Sequence, residues 1–268
     1  MFYELEEKTV EADGMSIDYA AFGTGKKVMV IVPGLTFRRV RGAGFTLARM
    51  YRYFADDFRI YVFDRRKNIP EGYSAEDIAD EIYSAMKALS LEKACVMGVS
   101  QGGMAVQYLA LKHPEMVEKL VLGVTLSRPN PTIREAVAEW TELIEKGDLE
   151  QLVISSMRRG YPPEKFNKFR LIMPAVAKAG KPKDPTEFLR MAKACLTCDT
   201  YDRLTEIKCP TLVIGDRQDN IAAGEASLEI AEKMGCELVM YDGLGHSVYE
   251  EKCFNDEVRR FFTEQSEN

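Results

Sequence analysis

Short, continuous apolar runs recur along this chain, each followed by a stretch with helical spacing, and this alternation limits the possible folds more than any other feature. VMVIV (28–32), FRIYVF (58–63), ACVMGV (94–99) and KLVLGV (119–124) read as strands, and runs this apolar suit strands covered on both faces. Residues 44–55, 74–89 and 101–112 have helical character. In the second of these, Ile78, Ile82, Met86 and Leu89 form one apolar stripe, and Ser74 is a suitable N-cap. Strand–helix alternation from about residue 28 to 124 predicts an α/β fold, with a mostly parallel central sheet flanked by helices. Ahead of it, residues 3–10 and 15–22 read as two strands turned at Asp13-Gly14.

The rhythm then breaks. Residues 128–205 hold no convincing strand, only helical stretches near 132–146, 148–158, 163–178 and 186–196. It resumes with TLVIGD (211–216), a helix near 224–234, ELVMYD (237–242) and a last helix near 249–264. The expected organisation is one core domain, residues 1–127 and 206–268, interrupted by a helical insertion at 128–205. A chain of 268 residues suits such a domain.

Charge and cysteine usage exclude several functions. A net charge of −6 argues against nucleic-acid binding, which favours a basic excess. There is no apolar run of about 18 residues to span a membrane. The start, MFYELEEKTV, is acidic where a secretion signal is basic and then apolar, so a cytoplasmic location is expected. Six cysteines without a secretion signal read as free thiols. Cys195 and Cys198 form a lone C-x-x-C; a four-cysteine zinc site needs a second pair, so two buried small side chains are expected, and no metal.

Gly98-Val99-Ser100-Gln101-Gly102 fits G-x-S-x-G at the junction of an apolar strand and a helix. A sharp turn there presses the flanking residues together, and glycine at both places removes the Cβ atoms that would collide. The turn lifts the Ser100 hydroxyl above the carboxyl ends of the strands, close to a helix N-terminus. The simpler alternative is an N-cap serine. A serine nucleophile needs a base within hydrogen-bond reach. His113 lies at the far end of the helix that Ser100 begins, roughly 18 Å away at 1.5 Å per residue. His246, in the Gly243–Ser247 loop after a strand, is on the correct rim. Asp219, in the loop after TLVIGD, is the favoured carboxylate to orient it. Asp216 ends that strand and suits a turn, and Asp242 is too close to His246 in sequence to face its ring. Backbone N–H donors for an oxyanion are expected from Gln101 and from Leu35, which follows Pro33-Gly34, with Thr36 in reserve.

Over nearly its whole length the chain resembles the α/β-hydrolase family: VMVIVPG, FRIYVFDRR, ACVMGVSQGGM, HPEMVEKLVLG, CPTLVIGDRQDN and GLGHSVYEE. The order Ser100, Asp219, His246 is the family's order of nucleophile, acid and base. The resemblance implies that the 128–205 insertion is the family's cap, which covers the active site and shapes its pocket. Where the family often has His-Gly before the oxyanion donor, this chain has Pro33-Gly34, and a backbone donor does not depend on that histidine. Ser100 stands against the aspartate chemistry of haloalkane dehalogenases and epoxide hydrolases.

The expected activity is hydrolysis of a small carboxylic ester through an acyl-enzyme, without metal or organic cofactor. The same triad also serves carbon–carbon, thioester and amide bonds. A non-catalytic ligand-binding receptor is the reading from another class. Trp140, Met157, Phe166, Phe169, Met173 and Met191 make the insertion apolar; most of them are expected to pack helices and some to line a pocket for an apolar acyl part. Arg38, Arg39 and Arg41 follow the oxyanion loop and suit either a solvated basic loop or an anionic substrate group.

Overall fold

The computed structural model describes residues 3–264. Eight strands form one sheet in the order β1-β2-β4-β3-β5-β6-β7-β8. The hairpin β1 (Glu6–Ala12) and β2 (Met15–Phe22) turns at Asp13 and Gly14, both at positive φ, as a two-residue loop between twisted strands requires. β1 starts three residues later than the alternation predicts, since Tyr3 and Glu4 sit at φ 46° and 55°, outside strand geometry. β2 pairs antiparallel with β4 (Phe58–Arg66). From there β3 (Lys27–Val32), β5 (Ala94–Val99), β6 (Val117–Gly123), β7 (Thr211–Asp216) and β8 (Glu237–Tyr241) run parallel. Every residue of β5 and β7 is buried, which is why they read as uninterrupted apolar runs.

Helices cover both faces. α2 (Ala75–Ala88), α3 (Gln101–Lys112) and α9 (Gly224–Met234) pack on one; α1 (Gly44–Met50) and α10 (Lys252–Thr263) pack on the other. Ser74 caps α2 in a reciprocal box with Asp77. The helical stretch at 44–55 is shorter than expected, because Tyr51 leaves α-geometry and a 3₁₀ turn (Arg52–Phe54) follows. The last helix also begins later than expected, after a 3₁₀ turn at Gly245–Glu250.

Five helices lie between β6 and β7: α4 (Pro131–Glu145), α5 (Leu149–Gly160), α6 (Pro163–Lys168), α7 (Met173–Gly180) and α8 (Pro185–Ala194). Asn130, Asp148 and Asp184 cap the first, second and last through their side-chain oxygens. The stretch expected as one helix at 163–178 is two. Pro174 has no N–H to extend the earlier helix and sits in the first turn of α7 instead. The two chain crossings into this segment are tied together. The Thr200 N–H donates to Ser127 O (2.8 Å) and its hydroxyl to Gln107 Oε1 (2.6 Å), while Gln107 Nε2 donates to Leu126 O (3.0 Å). Trp140, Leu152 and Phe188 belong to the same apolar cluster as Val30, Met104 and Leu122 of the sheet layer. Among the described residues no helix is long and apolar enough to cross a membrane.

Candidate active site

Strand order reverses between β3 and β5, and the crevice at such a switch point is where open α/β sheets receive ligands. Ser100 stands at the end of β5 with φ 53° and ψ −120°. A non-glycine residue held there costs about 1–3 kcal/mol and persists only when its surroundings fix it. They do so by three bonds. Ser100 N–H donates to Gly123 O (2.8 Å), and Ser100 O accepts from Met104 N–H (3.1 Å) and from the Thr125 hydroxyl (2.7 Å). Val124, a β-branched residue at φ 42°, adds a second constrained position just past the end of β6. The Ser100 side chain makes no capping bond to α3, so it does not act as an ordinary N-cap.

Gly98 behaves as expected: a Cβ there would lie 2.5 Å from Gly102 O. The expectation for Gly102 needs correction. Its Cβ would strike β3, 1.9 Å from Val32 O, so this glycine lets α3 sit against the end of β3. That approach brings Gly34 beside the serine, since a Cβ on Gly34 would be 3.1 Å from Ser100 Cβ.

His246 lies in the 3₁₀ turn after β8 and is buried, not in a flexible loop as expected. Its Nδ1 lies 2.9 Å from both Asp219 oxygens. An ionised carboxylate only accepts, so Nδ1 carries the proton and Nε2 is left with a free lone pair. Asp219 Oδ1 also accepts from the N–H groups of Ile221 (2.8 Å) and Ala222 (2.9 Å), which fixes its orientation. Asp216 is occupied elsewhere, accepting from Gln218 N–H (2.8 Å) and Leu244 N–H (2.9 Å); it shapes the turn and holds the loop that carries His246. Asp242 meets Gln218 instead of the imidazole. His113 caps the far end of α3 and stacks on Tyr83 with ring centroids 3.5 Å apart.

Ser100 and His246 line one cavity of about 280 Å³. Leu35, Phe37, Trp140, Met157, Phe188 and Ile221 supply much of its apolar wall. The Leu35 N–H, also at this cavity, and the Gln101 N–H, at the first position of α3, have no acceptor among the described residues. Of the insertion residues singled out from the sequence, Trp140 and Met157 reach this cavity, whereas Phe166, Phe169, Met173 and Met191 do not. Sequence reasoning missed Phe37, Tyr161, Phe188 and Tyr249 as lining residues; they sit in ordinary helical or loop contexts and carried no signal. It also missed the Gln101 side chain, which leaves the serine turn to donate to Met191 O (2.5 Å) and Cys195 Sγ (3.2 Å) in the α8 region.

The three arginines after the oxyanion loop are anchored. Arg39 pairs with Asp64 (3.4 Å) and Glu187 (2.8 Å), Arg41 reaches Thr9 (3.2 Å) and Asp18 (3.7 Å), and Arg38 donates to Ala179 O (3.3 Å). None of them lines the Ser100 cavity. Cys195 and Cys198 are buried, which pushes their thiols up to about 11 and about 12, so both stay protonated at neutral pH. No cluster of three or more metal-ligating side chains occurs among the described residues.

A mostly parallel sheet with helices on both faces, and a serine on the tight turn after its central strand, defines an α/β-hydrolase fold. A model of the alpha/beta hydrolase family matches residues 29–260, and the chain belongs to that family. Among curated relatives, a protein of Rhizobium rhizogenes named "Putative carbamate hydrolase RutD" is 29% identical over 237 residues, covering 84% of this chain and 90% of its own. Among solved structures, MGS-M2, an alpha/beta hydrolase enzyme from a Medee basin deep-sea metagenome library, superposes with a TM-score of 0.85 at 19% identity, covering 97% and 99% of the two chains. The enol-lactonase of Burkholderia xenovorans LB400 gives 0.82 at 20% identity, with 96% and 100% covered. At such identities the likeness to these structures is one of fold.

Proposed function

We propose that this hydrolase cleaves a small carboxylic ester through an acyl-enzyme, with Ser100 as nucleophile, His246 as general base and Asp219 as its orienting acid. The observation that carries this reading is the bidentate contact of Asp219 with His246 Nδ1, beside a serine that shares the cavity and caps nothing. His246 Nε2 takes the Ser100 proton as Oγ bonds to the substrate carbonyl carbon. The oxygen of that carbonyl becomes an anion and is held by the N–H groups of Leu35 and Gln101. Collapse expels the alcohol, which receives its proton from His246. Water, deprotonated by the same imidazole, then releases the acid and restores Ser100. Helices α4–α8 act as the cap that closes over this chemistry.

Replacing Ser100 with Ala leaves the fold intact and lowers turnover of p-nitrophenyl acetate by roughly 10⁴-fold or more. Substantial residual turnover in that variant overturns the assignment. A cavity of about 280 Å³ favours short acyl groups, so kcat/KM falls from acetate to octanoate. A carbamate substrate is the second reading, favoured by the named activity of the RutD relatives. An O-alkyl carbamate presents a carbonyl and an alkoxide leaving group as an ester does, so paired O-carbamoyl and O-acyl probes separate the two. Labelling of Ser100 by a fluorophosphonate distinguishes both from a ligand-binding receptor.

A further inference from the structure

We propose that a second cavity, next to the one holding Ser100, is a binding site for a small molecule bearing a carboxylate or phosphate group. This cavity measures about 580 Å³ and lies between the loop after β3, the end of β4 and the segment leading into α8. It shares Gly34, Thr36, Phe37 and Phe188 with the Ser100 cavity, and the stacked rings of Phe37 and Phe188, 4.6 Å apart, form the partition.

The wall carries six cationic side chains and three carboxylates, in a chain whose net charge is −6. The carboxylates are already engaged. Asp64 and Glu187 neutralise Arg39, and Asp184 caps α8 by accepting from the N–H groups of Thr186 (2.9 Å) and Glu187 (3.0 Å). Lys181 pairs with Glu150 (3.1 Å) and Arg41 approaches Asp18 (3.7 Å). Three cations form no direct ion pair with a carboxylate among the described residues: Arg38, Arg65 and Lys183.

Arg65 is the decisive one. It is only 3% exposed, yet forms no ion pair among the described residues. Its Nη2 donates to Pro33 O (2.6 Å) and Gln101 Oε1 (3.2 Å), and its Nε has no partner among the described residues. A guanidinium remains charged in proteins. Asp64 and Glu81 feel the Arg65 charge electrostatically, but neither carboxylate forms an ion pair with it. Here that charge stands at the wall of a cavity with Arg38 and Lys183 exposed on the same wall, an arrangement complementary to an anion. Binding at this site does not depend on turnover at Ser100.

Calorimetric titration of the full chain at low ionic strength tests this, with malonate and inorganic phosphate as probes and uncharged malonamide as control. Saturable binding of either anion, without binding of malonamide, is expected. A preference for malonate assigns a carboxylate ligand and a preference for phosphate a phosphate ligand. Combined Arg38→Glu and Lys183→Glu substitutions, on exposed side chains that leave folding intact, weaken binding about tenfold or more. Arg65→Gln removes it, provided circular dichroism shows a folded protein; where it does not, the double charge reversal alone decides. Absence of saturable binding by both anions, or unchanged affinity in the double variant, overturns the proposal.

Discussion

At the scale of single residues, two aspartates three positions apart have taken different work. Asp219 faces the imidazole, while Asp216 spends both oxygens on backbone N–H groups of the surrounding turns. Asp219→Asn presents an amide where Nδ1 needs an acceptor and favours the wrong tautomer, so kcat drops by roughly 10³- to 10⁴-fold with little change in thermal midpoint. Asp216→Asn instead leaves a buried N–H of Gln218 or Leu244 poorly matched. It costs about 1–3 kcal/mol of stability, read by urea unfolding, and its effect on kcat is the smaller of the two. That Asp219 and not Asp216 meets the imidazole was legible from the sequence, because a strand-terminal aspartate commonly turns the chain whereas one further out can reach across a loop. The burial of Arg65 was not legible: an arginine near the end of an apolar strand looks like a surface residue until the fold closes over it.

Among elements, the tightest constraint joins β3 to α3. Gly102→Ala drives a methyl group into Val32 O, and both partners are main chain, so neither yields cheaply. The variant loses about 2–4 kcal/mol of stability or fails to fold, as judged by its chemical denaturation midpoint. The strands were readable because burial on both faces leaves an uninterrupted apolar signature, and β5, α3, β7 and α9 begin and end where their residues indicate. Element ends governed by backbone angle were not readable, as at Tyr3, Glu4 and Tyr51. The stretch 163–178 reads as one helix, although Pro174 carries a sign of the break between α6 and α7, since proline suits a helix's first turn better than its interior.

For the molecule as a whole, the insertion and the sheet are not separate bodies. Ile133, Trp140, Leu152, Phe188 and Cys198 share one apolar cluster with α2, α3 and the sheet face beneath them. Replacing residues 131–199 with a short Gly/Ser linker therefore uncovers that face. The shortened chain elutes from size exclusion as aggregate, and a soluble monomer that retains the parent's denaturation midpoint would contradict the shared core.

Gln101 spans both regions: its backbone begins α3 beside the serine, and its amide grips Met191 and Cys195. Any swing of α8 away from the sheet must first unfasten that amide. Through that one side chain, any displacement of this helix would be passed to the peptide next to Ser100.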